Sequence, residues 1–129
     1  MKSKISATKH GGPANPVSGQ NPKLQKRSSV IVVLVTCPTR AVARRIASQL
    51  VRRHLAACVN VIPGLTSVFR WEGKMESARE VLLVIKTTNR QFEPLRRAIL
   101  QLHPYKVPEI IALPVIAGHR PYLKWVAAS

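Results

Sequence analysis

The chain has no aspartate, five glutamates and two cysteines in 129 residues, and only 5% of it is aromatic. Two cysteines, Cys37 and Cys58, are too few for a disulfide framework, so a reduced cytoplasmic setting is expected. No window approaches the roughly 18 consecutive apolar residues that a membrane span needs, so no membrane partner is expected. No apolar run follows the first lysines, which argues against a secretory signal peptide. No aromatic pair of the RNA-recognition type, zinc finger or helix-turn-helix pattern is present. Any nucleic-acid binding should therefore be non-specific and steeply salt-dependent. A nucleophilic pair of Cys58 and His103 would lack the orienting third group and oxyanion hole that such catalysis needs. The expectation is a protein that is not an enzyme.

The shortage of acid leaves 21 Lys and Arg against five Glu, a formal net charge of +16. Residues 1–29 carry Lys2, Lys4, Lys9, Lys23, Lys26 and Arg27 with no acid, so most of the excess is spread over residues 30–129. One reading is a polyanionic partner, met through an Arg-rich helix face. The other is an Arg-biased surface facing only solvent. Residues 1–29 also hold Pro13, Pro16, Pro22 and three glycines with almost no large apolar residue. Such a segment buries too little to offset its ordering entropy, so a disordered basic N-terminal tail is expected there. Residues 30–129 form the folded domain.

Val30–Val35 is a short, fully apolar run, the pattern of a central strand. Thr39 is placed to cap a helix that runs to about His54, with Val42, Ile46, Leu50, Val51 and Leu55 at helical spacing. Arg44, Arg45, Arg52 and Arg53 fall largely on its other face. From Ala56 to Lys86 the chain reads as two long strands folded about Trp71-Glu72-Gly73-Lys74, with Pro63-Gly64 marking a bulge or bend in the first arm. Arms of this length exceed the usual strand of about 5–6 residues and should project past their own domain. A second helix is expected over 90–102, with Phe92, Leu95, Ile99 and Leu102 on one stripe. A stiff loop, His103 to Pro108, leads to a strand over 109–116, where Pro114 argues for an edge. A short helix over 118–127 closes the chain. The order β-α-β-β-α-β plus a small helix predicts an α+β, ferredoxin-like domain with both helices on one face of an antiparallel sheet. The bare sheet face and the overlong hairpin predict packing against copies of the same chain.

Several stretches resemble the CutA (divalent-cation tolerance) family: 55–60 (LAACVN), 62–67 (IPGLTS), 71–74 (WEGK), 84–87 (VIKT), and 103–105 (HPY) with 108–110 (PEI). They occur in the right order and spacing over about residues 30–129. The resemblance implies a homotrimer in which long hairpins pack between subunits, as in signalling trimers of the PII type. It also implies a role in tolerance of, or response to, divalent cations, copper above all, and no general catalytic activity. The family's proposed metal contacts are a first-strand thiol and histidines beside the HPY motif. Here His103 matches, Leu102 stands where a second histidine would, and Val35 stands where some relatives have Cys, with Cys37 two residues on. Metal candidates are therefore His103 with Cys37 or Cys58, soft and borderline ligands suited to copper. The alternatives are His103 filling its loop and Cys58 packed as a small hydrophobe. Cys37, near a helix N-terminus, should have a lowered pKa.

Trp71, Glu72, Lys86, Tyr105 and Glu109 form a second constellation, expected to gather at clefts between subunits. Lys86 and Glu109 could pair there, or the cleft could hold a small anion or recruit a protein partner, as a PII-like binding or signalling scaffold. His10, His54 and His119 lack ligand spacing and read as surface residues.

Overall fold

In the computed structural model, residues 29–129 are described. The basic tail expected over 1–29 lies outside them except for Ser29, whose carbonyl accepts the Asn89 amide at 2.8 Å. The order is β1 (Val30–Cys37), α1 (Arg40–Arg52), β2 (Cys58–Trp71), β3 (Lys74–Thr88), a 3₁₀ turn (Asn89–Gln91), α2 (Phe92–Leu102), β4 (Ile110–Pro114) and α3 (Arg120–Ala128). The strands form one sheet ordered β2-β3-β1-β4, with every neighbouring pair antiparallel. That is the arrangement the hydrophobic patterns predict. The apolar runs of β1 and β3 are its two central strands, and Pro114 closes the edge strand β4.

Side chains alternate across a strand, so one parity of β1 and β3 faces the helices. Val33, Val35, Cys37, Leu83 and Ile85 are fully buried there, packed with Ile46 and Leu50 of α1 and Leu95 and Ile99 of α2. Each large apolar side chain so buried contributes about 1.5–3 kcal/mol. Thr39 caps α1 as expected, its Oγ1 accepting the Val42 amide at 3.1 Å. The buried face of α1 differs from expectation in one respect: Ala43 is buried and Val51 exposed. A small residue at the helix–sheet contact lets the backbones approach, which turns Val51 outward.

Two arms of 14 and 15 residues meet at a two-residue turn, Glu72-Gly73, where both residues have positive φ (50° and 80°). Positive φ at both central positions suits the twist of a tight hairpin. The register slips between Ile62 and Leu65, so the expected bulge is present, with Gly64 at φ 88°. β1 pairs with β3 only over 81–88. Beyond that the hairpin is a bare two-stranded ribbon, 65–71 against 74–80, reaching about 23 Å past the sheet. Val68, Trp71 and Met75 are 66%, 56% and 76% exposed on it, and Phe69 is exposed beside them. The face opposite α1 and α2 is only partly covered, by α3 through the buried Val126, and leaves Ile62, Ile111 and Leu113 exposed. No helix among the described residues is long and apolar enough to cross a membrane.

Candidate functional site

Polar side chains from four segments meet where the ribbon leaves the sheet. Glu80 of β3 is buried, and its carboxylate accepts two neutral donors. The Ser67 hydroxyl donates to Oε1 at 2.7 Å, and the Tyr105 hydroxyl donates to Oε2 at 3.0 Å. Among the described residues no cationic side chain pairs with Glu80, since the one ion pair joins Arg96 to Glu93 at 3.0 Å. Burial pushes the Tyr105 hydroxyl above its ordinary pKa, and the hydrogen bond to Glu80 adds to the shift.

His103 ends α2 and is 7% exposed. Its Nε2 lies 2.8 Å from the Thr36 carbonyl, and its Nδ1 accepts the Tyr105 amide at 3.1 Å. A carbonyl on one side and an N–H on the other select the neutral tautomer with the proton on Nε2. The imidazole thus fills and orders the loop before Pro104. Nε2 carries the proton, and the lone pair on Nδ1 is taken by the Tyr105 amide, so neither nitrogen is free for a metal. A cation would reach Nδ1 only if the Tyr105 amide turned away.

Cys37 sits beside this cluster with its thiol fully buried. Burial, and secondarily the negative charge of Glu80, raise its pKa from 9.0 to about 11. This reverses the lowered value expected from a nearby helix N-terminus. Desolvation in the core outweighs the dipole, which acts only over the first turn. The strand's own parity carried the signal: Cys37 shares the face of Val33 and Val35.

Cys58 lies elsewhere. It pairs with Lys86 on the sheet face away from α1 and α2, about 17 Å along β3 from the Cys37–Val81 pair. It is half-buried rather than packed in the core, because Val59, not Cys58, points at the helices opposite Ile85. The Lys86 ammonium lies 3.9 Å from its Sγ and also donates to Asn60 Oδ1. Burial raises the pKa of Tyr122 on α3, with the Cys58 thiol beside it as a lesser cause. One chain therefore brings Cys37, not Cys58, to His103.

The second constellation is dispersed within one chain. Trp71 and Glu72 stand exposed at the hairpin tip, about 40 Å of strand from Lys86. Within one chain Lys86 and Glu109 do not pair. Lys86 stands opposite Val32, whereas Ile110, next to Glu109, stands opposite Val35, so the register separates the two charges. Only Tyr105 joins the buried cluster. The partners of that cluster missing from the sequence reading are Thr36, Ser67 and Glu80; the one available signal was an acid abutting the apolar run Val81–Ile85. A separate cleft of about 190 Å³, lined by His54, Thr87, Arg90, Val126 and Ser129 among others, includes none of the expected site residues. His54 and His119 are exposed, as expected, and His10 lies outside the described residues.

Among the described residues no three His, Cys, Asp or Glu side chains converge closely enough to hold a metal ion. With Cys37 protonated near neutrality and His103 engaged at both nitrogens, the described residues of one chain do not supply a preformed copper site.

This geometry belongs to a widespread sequence type. A "Divalent-cation tolerance protein CutA" of Thermus thermophilus is 53% identical over 95 residues, covering 74% of this chain and 92% of that protein. A "Protein CutA homolog" of Xenopus laevis is 51% identical over 98 residues, but this chain spans only 65% of its length. Against mouse Protein CutA, at 49% identity, it spans 55%. Among solved structures, the Thermus thermophilus divalent cation tolerance protein (Cut A1) matches with a TM-score of 0.76 at 50% identity, covering 77% of this chain and 96% of the other. CutA1 of Oryza sativa matches with a TM-score of 0.73 at 43% identity, covering 75% and 89%. The family described as CutA1 divalent ion tolerance protein matches residues 31–129, and this chain belongs to it.

Proposed function

We propose that this protein acts in divalent-cation tolerance as a non-enzymatic homotrimer of the cytoplasm, and that copper is the cation it meets. The role is supported by the likeness to a Thermus thermophilus protein named for divalent-cation tolerance. Assembly is supported by the ribbon, because an isolated two-stranded hairpin is marginal in water and this one exposes Val68, Phe69, Trp71 and Met75.

The observation that carries the cation reading is Glu80. A buried carboxylate normally has a cationic partner, and this one has only two neutral donors among the described residues. It lies beside the Cys37 thiol and is joined through Tyr105 to His103. Copper contact at His103 and Cys37 requires the Tyr105 amide to turn and the thiol to lose its proton. Cys58 can take part only from a second copy.

The test is equilibrium dialysis of reduced, metal-stripped protein against Cu(I) and Cu(II), beside His103→Ala, Cys37→Ser, Cys58→Ser and Glu80→Gln. Stoichiometric binding, lost in His103→Ala and weakened in Glu80→Gln, is expected, and the thiol variant that also loses binding identifies the second contact. Weak binding that none of the four substitutions alters would sink the copper reading.

A second reading, a PII-like scaffold that holds a small anion or a partner at clefts between subunits, is favoured by Lys86. Among the described residues its ammonium meets Asn60 Oδ1 and Cys58 Sγ and no carboxylate, which leaves a cation on the open sheet face. Glu109 stays apart from it within the chain, so Trp71, Glu72, Lys86, Tyr105 and Glu109 come together only if a second copy supplies some of them. Lys86→Met would then keep the assembly and lose anion binding.

A further inference from the structure

The copper and cleft readings leave the outer surface of the two helices unused. Segments 40–53 and 89–102 contain eight arginines, one glutamate and no lysine. The glutamate, Glu93, is already paired with Arg96. On α1 and its C-cap, Arg40, Arg44, Arg45, Arg52 and Arg53 are all exposed. Ala43, Ile46 and Leu50 fix the inward side of that helix. At 100° per residue, Arg44, Arg45 and Arg52 then straddle its outward pole. No acidic residue lies in the first turn of α1, where a carboxylate would be favourable and Arg40 is not. The chain's other four acids, Glu72, Glu76, Glu80 and Glu109, lie on the hairpin or in the loop before β4. Among the described residues the Glu93–Arg96 pair is the only ion pair of this cationic layer, and it leaves seven of its eight arginines without an acidic partner.

We propose that the outer face of α1, extended by α2, docks on the phosphodiester backbone of duplex nucleic acid without reading its sequence. Three features favour that occupant. Every cation in the layer is a guanidinium, whose planar fork matches phosphate oxygens in pairs, whereas the chain's lysines lie elsewhere. α1 is 13 residues long, about 20 Å, enough to span several phosphates on one duplex face. No Phe, Tyr or Trp accompanies the arginines of α1, so nothing there could stack on bases or wedge between them. Self-association through the ribbon and the opposite sheet face would leave this layer free and multiply its charge.

The test uses the full chain and a short fluorescein-labelled duplex DNA of scrambled sequence, with affinity followed by anisotropy as salt is raised. Binding is expected at low salt, equal for unrelated sequences, with log affinity falling linearly in log salt. Arg44→Gln with Arg52→Gln should weaken binding for every sequence and reduce the slope by about 2, roughly one per lost phosphate contact. Lys74→Gln with Arg79→Gln on the ribbon should leave the slope unchanged. Arg44→Lys with Arg52→Lys keeps the charge, so it should keep the slope while losing some affinity. Three results would overturn the proposal: no binding at low salt, a slope indifferent to Arg44 and Arg52, or tighter binding to phosphatidylserine vesicles through the same two arginines. The last would assign the face to a membrane surface instead.

Discussion

The helix layer and the hairpin treat charge and apolar area in opposite ways. Segments 40–53 and 89–102 set eight arginines against one glutamate, whereas the hairpin from 58 to 88 sets four basic residues against three glutamates. The apolar exposure is reversed. Beneath the helices the sheet is sealed, with Val33, Val35, Leu83 and Ile85 wholly buried, while the ribbon and the far sheet face leave Val68, Trp71, Met75, Ile111 and Leu113 open. A near-neutral, apolar surface suits self-association, and a surface with a large excess of like charge opposes it. The proposed assembly would use the first surface, and the proposed phosphodiester contact would use the second.

The contrast is sharpest at the core. Leu83→Ala, on the sealed face of β3, should cost about 2–5 kcal/mol of unfolding free energy in denaturant titrations. Val84→Ala, one residue on and facing the other way, should cost less in dissociated protein and more at concentrations where the chain assembles. Equal costs at all concentrations would erase the distinction between the two sheet faces.

A smaller effect is expected at the boundary between the regions, where Cys37 has its pKa raised from 9.0 to about 11. The unfolded chain releases this proton first. The stabilising contribution is therefore complete below pH 9 and lost as pH rises to about 11, by about 2 kcal/mol. Cys37→Ala should lack this component when stability is followed across the same window. An unchanged pH profile would place the thiol in contact with water.

Smaller still is the expected effect at the tip. Gly73 has φ 80° and open space around its Cα, so Gly73→Ala is penalised by backbone conformation alone, about 1–2 kcal/mol. If the ribbon is clasped by other copies, that cost should appear as weaker assembly, with little change in the unfolding of dissociated chains.

Much of this was readable from local pattern. The apolar runs of β1 and β3, the Thr39 cap, the Pro63-Gly64 bulge and the edge position of Pro114 each depend on a few neighbouring residues, and each is where that pattern puts it. The candidate site was less legible because it is assembled across the chain. Glu80 meets Tyr105, 25 residues away, and His103 meets Thr36, 67 residues away. The fate of Lys86 and Glu109 depends on a register counted through β1, which neither residue's own surroundings encode. Val51 and Ala43 exchanged roles because hydropathy ranks the larger side chain inward, whereas close helix–sheet contact favours the smaller.

The most direct test of the division between the two faces is the solution mass by sedimentation equilibrium of the wild type, of a Val68→Glu/Phe69→Glu variant on the ribbon, and of an Arg44→Gln/Arg52→Gln variant on the helix layer. The account predicts three chains of 14.3 kDa each for the wild type and the helix variant, and dissociation for the ribbon variant. A monomeric wild type, or a trimer broken by the helix variant and untouched by the ribbon variant, would contradict it.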